Sequence, residues 1–474
     1  AYALVEWLFL RALGGIYLIA FASAHGQILG LIGSNGILPV GEFLETARAR
    51  LGAEAYGRVP TLLWLNASDA ALQLVCLAGM FLSLLLMLGV SYRLVRVALF
   101  LAYLSLASAG QVFMSFQWDV LLIETGFLAI FLGASSIVTI GLFRWLLFRL
   151  MFMSAAVKLL SGDPSWRSLT ALDYHFETQP LPTVIAWYVH QLPEWFHRLS
   201  TAAVFFIEGV VPFLIFAPRR LRLFAAATLV FFQALIFLTG NYTFFNLLSV
   251  ALCLFLLDDA ALLRWLPGRV IDRIASIAGG RRDSLLGRRI VAAVAAAIVF
   301  VSGLQLLGIL SGGLPEPIGA AINWIRPLRI VNTYGLFAVM TTSRPEIVVE
   351  GSNDGQTWRA YEFRYKPGDV QRAPPWVAPH QPRLDWQMWF AALGDYNSNP
   401  WFVSFMLRLL QGSPEVLALL EANPFPDAPP RYVRARLYDY HFTDWAGRSV
   451  DGAWWRREPL GLYLPAISLR PGSQ

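Results

Sequence analysis

Runs of fifteen to twenty-four mostly apolar residues, separated by short polar stretches, fill the first two thirds of this chain, and a mixed aromatic and polar pattern fills the rest. A helix needs ~17–25 apolar residues to cross a hydrocarbon core of ~30 Å. The pattern predicts spans at about residues 3–24, 67–90, 94–112, 120–142, 145–161, 200–217, 221–239, 243–257 and 290–311. The expected fold class is a polytopic α-helical membrane protein of about nine transmembrane helices with a C-terminal soluble domain of α+β or β-sandwich-like form. The expected boundaries are a multi-span helical domain over 1–257, a basic cytoplasmic linker with a short amphipathic helix over 258–289, the last transmembrane helix over 290–311, and an extracytoplasmic soluble domain with a β-rich core over 315–474.

Within that last region the period changes. In "RPEIVVEGSNDGQTWRAYEFRY" (344–365) a β-branched run, Ile347 to Val349, precedes an Asn353-Asp354-Gly355 turn, and aromatic residues then recur mostly at period two. "RYVRARLYDYHF" (431–442) alternates aromatic and basic residues, the pattern of a half-buried strand. Between them, 385–394, 400–412 and 413–425 read as short helices, the last with Ser413 as N-cap, Pro414 at its first position and Glu415 in its first turn.

Composition supports the membrane reading: 57% of residues are hydrophobic and 14% charged, with a mean hydropathy of +0.54, against ~25% charged in soluble domains. Arginines orient the spans. With the N-terminus inside, strict alternation gathers Arg93, Arg96, Arg144, Arg149, Arg219, Arg220, Arg222 and the block from Arg264 to Arg289 on the cytoplasmic side. These inside arginines account for the net charge of +6, so it gives no reason to expect a nucleic-acid partner. Cys76 and Cys253 both fall in spans, so the outer domain can form no disulfide and has no dithiol. No H-E-x-x-H, G-x-S-x-G, P-loop or zinc spacing occurs, so no metal or cofactor is expected and the enzyme hypothesis is weakened.

The candidate chemistry centres on Lys158, in "AAVKLLSGDPSW". It is one of two lysines among 37 basic residues and lies near the outer end of a span. Three readings compete: a side chain that snorkels to the surface, a structural ion pair with Glu124 or another acid, and a base with Glu124 and His175 nearby. Of these the ion pair is preferred. Asp119, Asp173, Glu177 and Glu208 are the acids assigned to a membrane polar cluster, with Glu208 near mid-span. In an extended chain Asp173, His175 and Glu177 would share one side. Residues 188–200 read as an amphipathic interfacial helix with His190 and His197 on a wet face, and Asn66-Ala67-Ser68 and Asn241-Tyr242-Thr243 match the glycosylation sequon. Trp376, His380, Trp386 and Trp389, in a proline-stiffened aromatic stretch, are the candidate client-binding residues.

Long stretches of the chain resemble the lipase maturation factor family: "SFQWDVLLIETGFLAIFL" (115–132), "AVKLLSGDPSWRSLTALDYHFETQPLP" (156–182), "TGNYTFFNLLSVALCLFLLDD" (239–259), "RPLRIVNTYGLFAVMTTSRPEIVVEGSNDGQTW" (326–358) and "RAPPWVAPHQPRLDWQMWFAALG" (372–394). The resemblance implies a membrane-anchored factor that assists folding of an exported client, a lipase in animal members, with an endoplasmic-reticulum membrane location there. Arginine and alanine usage suggests instead a high-GC bacterium and its inner membrane. "MFMSAAVKLLSGDPSW" is also similar to a short signature of the vitamin K-dependent carboxylase, whose lysine is held to act as a base. That similarity implies a second reading, a membrane enzyme acting on a lipid, quinol or lipid-linked group through Lys158. The expected partners are an exported client protein and membrane lipids.

Overall fold

The computed structural model describes residues 2–90, 92–133, 137–263 and 285–469. Among these, nine helices carry the apolar runs: α1 (Ala3–His25), α2 (Asp69–Leu88), α3 (Arg93–Ala109), α4 (Gln117–Ala129), α5 (Ile137–Leu160), α6 (Glu194–Gly209), α7 (Arg219–Thr239), α8 (Phe245–Cys253) and α9 (Leu285–Ser311). Six are long and apolar enough to cross a membrane: α1, α2, α5, α6 with its 3-10 extension to Phe216, α7 and α9. The other three are shorter. Large side chains such as Leu74, Phe81, Phe231 and Phe300 stand on outward faces, as they should where the solvent is hydrocarbon.

Local signals explain several ends. The Ser68 side chain caps α2 by accepting from the Ala71 N–H, and Gly89 closes it at φ +97°. A Cβ on Gly79 would lie 2.4 Å from the Phe21 ring, so glycine is what allows α1 and α2 to approach there.

One expected boundary moves. The sequence predicts separate fourth and fifth spans, 120–142 and 145–161, with Arg144 in the short loop between them and Arg149 near the start of the fifth, both toward the cytoplasmic side. Instead α4 ends at Ala129 and α5 runs unbroken from Ile137 to Leu160 through both arginines. Each arginine has found partners inside the bundle. Arg144 donates to the Phe255 carbonyl (2.9 Å) and the Tyr2 hydroxyl (2.9 Å), and Arg149 to Glu124 and the Asn332 carbonyl. An intramembrane charge held this way does not break a helix. The short helix expected in the basic linker falls mostly on 264–284, outside the described residues.

The C-terminal domain takes the α+β form. Strands β1 (Pro345–Ser352), β2 (Arg359–Ala360), β5 (Tyr432–Phe442) and β6 (Trp455–Ile467) make one antiparallel sheet in the order β2-β1-β5-β6, and β3 (Glu362–Phe363) pairs with β4 (Leu420–Ala422). Helices α10 (Arg383–Ala392) and α11 (Pro400–Gln411) pack against β1 and β5. In the 353–355 turn the Asp354 carboxylate accepts from the N–H groups of Gln356 and Thr357, and Gly355 sits at φ +74°. Ser413 caps as expected, accepting from the Val416 N–H, but its helix lasts only from Pro414 to Leu417 before β4 begins.

Two irregular segments join the halves. In the first, Arg329 donates to the carbonyls of Met114 and Ala107, the Gly335 N–H donates to Gln117, and the Met340 N–H donates to Asp163 (2.7 Å). In the second, Asn241 accepts from the N–H groups of Val377 and Ala378 and donates to the Pro375 carbonyl, while Ser23 accepts from the Gln381 N–H. Asn241 is thereby buried and fully used as a structural link, which rules against its sequon being an acceptor. Hydrophobic packing is continuous across the junction, where Trp118 and Trp386 meet edge to face at 4.6 Å.

Candidate functional site at the junction of bundle and C-terminal domain

Lys158, two residues from the end of α5, points inward and not toward the surface. Its Nζ donates to Glu208 Oε2 on α6 at 2.6 Å, and both residues are buried, at 4% and 7% exposure. The ammonium also lies 5.3 Å from the centre of the Trp166 ring. Ion-pair geometry therefore holds, and the partner is Glu208 instead of Glu124. With a carboxylate holding it, Lys158 is not placed as a free base.

The acids do not cluster: apart from the Lys158–Glu208 pair, Glu124, Asp119, Asp173 and Glu177 each have partners of their own. Glu124 binds Arg149, the Asn332 N–H (3.1 Å) and side chain (2.8 Å), and the Tyr334 hydroxyl (2.7 Å), all buried. Asp119 takes both terminal nitrogens of Arg383, at 3.0 and 2.8 Å, and the Tyr103 hydroxyl at 2.6 Å. Residues 171–178 form a helix, not an extended segment, so Asp173, His175 and Glu177 diverge. Asp173 pairs with His197 Nδ1 at 3.0 Å. Glu177 accepts the Phe442 N–H and faces His441 and His190 at 3.2 and 3.6 Å. His197 is thus buried between Asp173 and the Val189 carbonyl, not on a wet face, because the chain turns at Gln191–Pro193 and packs α6 on the helix over 171–178.

His175 does approach Lys158. Both line a cavity of about 300 Å³ between α5, α6 and α7, closed on one side by Phe337 and Met340 from the first joining segment. The hydrogen bonds fix its tautomer. Gln179 Nε2 donates to the carbonyls of Phe176 and Thr239, so its oxygen faces Tyr242, whose hydroxyl donates to it at 2.9 Å. The Tyr242 oxygen is left to accept from His175 Nε2–H at 3.4 Å, and Nδ1 keeps its lone pair with no partner. Burial first, and the Lys158 charge second, lower this imidazole from 6.5 to about 4.

That shift predicts a pH dependence. A histidine whose folded pKa is depressed contributes its stability in full above pH 6.5 and loses it as pH falls toward 4, with a slope of up to ~1.4 kcal/mol per unit. His380, lowered to about 4 by burial and then by Arg383 and Arg364, acts in the same direction. Thermal unfolding of the detergent-solubilised protein between pH 7 and 5 should show a falling midpoint, and His175→Phe should flatten the slope. Parallel curves for the two proteins would remove His175 from this account.

Of the candidate client-binding residues only Trp376 stands on the surface, at 48% exposure. Trp386 and Trp389, at 3% and 7%, are in the core, the former against Trp118 and the latter donating to the Thr178 carbonyl. His380 bonds Ser23 at 2.9 Å and is part of the domain junction. The surfaces of Trp386 and Trp389 are therefore already covered, and the His380 ring is engaged at the junction. Sequence reasoning passed over Arg149 and Arg383, both fully buried. The available signal was the matching excess of acids in the spans, which demanded cations that the two lysines could not supply.

The chain matches two family models: the lipase maturation factor transmembrane domain over residues 4–264 and the lipase maturation factor C-terminal domain over residues 330–465. The chain belongs to the lipase maturation factor family. It is 38% identical to lipase maturation factor 2 of Gallus gallus over 98% of this chain and 81% of that protein. It is 37% identical to lipase maturation factor 1 of Bos taurus over 97% and 88%, and 36% identical to human lipase maturation factor 1 over 97% and 87%. No solved structure matches the chain. The family's C-terminal region begins at residue 330, so it includes Asn332, Tyr334 and Phe337, the residues that enter the bundle. Among the described residues no three His, Cys, Asp or Glu side chains gather to hold a metal.

Proposed function

We propose that this chain is a membrane-embedded maturation factor that holds an exported client, a lipase in keeping with the names of its relatives, while the client reaches its active fold. The observation that carries the reading is the match of both family domains along nearly the whole chain. Buried ion pairs and side-chain-to-backbone bonds across the junction favour an outer domain that works as a fixed platform and not as a tethered module. We place that platform on the extracytoplasmic side, because Arg93, Arg219, Arg220, Arg222, Arg288 and Arg289 all sit where α3, α7 and α9 start, on one side when all nine helices alternate, the shorter α3, α4 and α8 included. In a bacterial host the membrane is the inner one. Trp376, packed edge-on against Phe237 at the end of α7, is the proposed client contact.

Deleting the gene should lower active exported lipase at unchanged transcript level. Re-expression of the full chain should restore it, and Trp376→Ala should restore it only in part. Unchanged activity across a panel of exported hydrolases would overturn the proposal.

A further inference from the structure

We infer that the cavity between α5, α6 and α7 is a binding site for one neutral, hydroxyl-bearing bilayer lipid of the acylglycerol class. The inference is independent of the client reading. Its walls are largely apolar, built by Leu150, Met151, Val204, Ile207, Phe232 and Ile236, whereas the paired Lys158 and Glu208 and the bonded His175 and Tyr242 bring ionised and hydrogen-bonding groups to it, the latter two against the Phe337 ring. A volume of about 300 Å³ is on the order of ten waters, and most of these would face hydrocarbon walls with too few partners. An amphipathic molecule with a small head fits both parts.

The head must be neutral. Lys158 and Glu208 already satisfy each other at 2.6 Å, so an added anion or cation would be buried without a counter-charge. It must also donate. His175 Nδ1 lacks a hydrogen-bond donor and has under 1 Å² of accessible surface, so it gains one only when a hydroxyl-bearing head seats against the ring, whereas an ester or ketone carbonyl has no proton to supply. The bilayer is the source: the lining residue Leu235 is 44% exposed, and Phe206 and Phe231 on the neighbouring helix faces are more exposed still.

The test uses the full chain in nanodiscs and three probes with the same diazirine-tagged palmitoyl chain: the monoacylglycerol, the methyl ester and the free acid. The monoacylglycerol should label peptides of α6 and α7, about 10-fold more strongly than the methyl ester, the ratio expected for one buried hydrogen bond. Unlabelled glycerol monooleate should compete, which requires no variant. Val204→Trp and Ile236→Trp should each abolish labelling without moving the unfolding midpoint, and His175→Phe should erase the preference over the methyl ester. Equal labelling by all three probes, insensitive to both tryptophans and to the competitor, would leave only a hydrated cavity and overturn the site. Preference for the free acid would overturn the neutral head.

Discussion

Asp119→Leu should undo the union of bundle and C-terminal domain. The substitution leaves the Arg383 guanidinium fully buried, with the Phe113 carbonyl at 2.7 Å and the Tyr103 hydroxyl at 3.4 Å as its remaining partners. Removing one partner of such a pair costs about 3–5 kcal/mol, a large share of the stability of any domain. The double change Asp119→Leu with Arg383→Met should recover most of the loss, because two apolar side chains carry no desolvation penalty. Unfolding midpoints of the three variants in one detergent supply the cycle. Limited proteolysis supplies the structural readout: undocking should open cleavage within 373–382, whose backbone is otherwise held by Asn241, Ser23 and Gln27. A stable, undigested Asp119→Leu protein would show that the junction does not depend on this pair.

The residues of that junction mark where the sequence could be read and where it could not. The apolar runs located the helices because length against bilayer thickness is a local property, and the turn at 353–355 and the cap at Ser413 were legible for the same reason. Charge bias, however, is a statistical signal of loops. It put Arg144 in a loop, whereas α5 runs straight through it and its guanidinium is held by the Phe255 carbonyl and the Tyr2 hydroxyl. Glu124 and Lys158 read as partners from similar depth alone. Depth fixes a level in the bilayer but not an azimuth around the bundle, and packing turned Lys158 toward α6 and Glu124 toward α5. Proline and tryptophan density suggested a binding loop at 376–389, where the rings at 386 and 389 are instead the adhesive between the domains.

The lysine is where the structural and chemical readings give opposite results. Lys158→Met should destabilise the protein by about 3 kcal/mol, since it strands the Glu208 carboxylate in an apolar wall. Glu208→Leu should do comparable harm by stranding the ammonium. The double variant should return close to the wild type in unfolding midpoint. Maturation activity, counted per folded molecule in the deletion strain, should then follow the same order: reduced in each single variant only as far as folded protein is reduced, and restored in the double. A base could not behave this way, because no loss at Glu208 can replace a missing amine. If the double variant folds fully and is still inactive, Lys158 acts on something beyond its own carboxylate, and the structural account of the pair fails. If both single variants fold as well as the wild type, the pair contributes nothing to stability, and the cavity it borders depends on the helices alone.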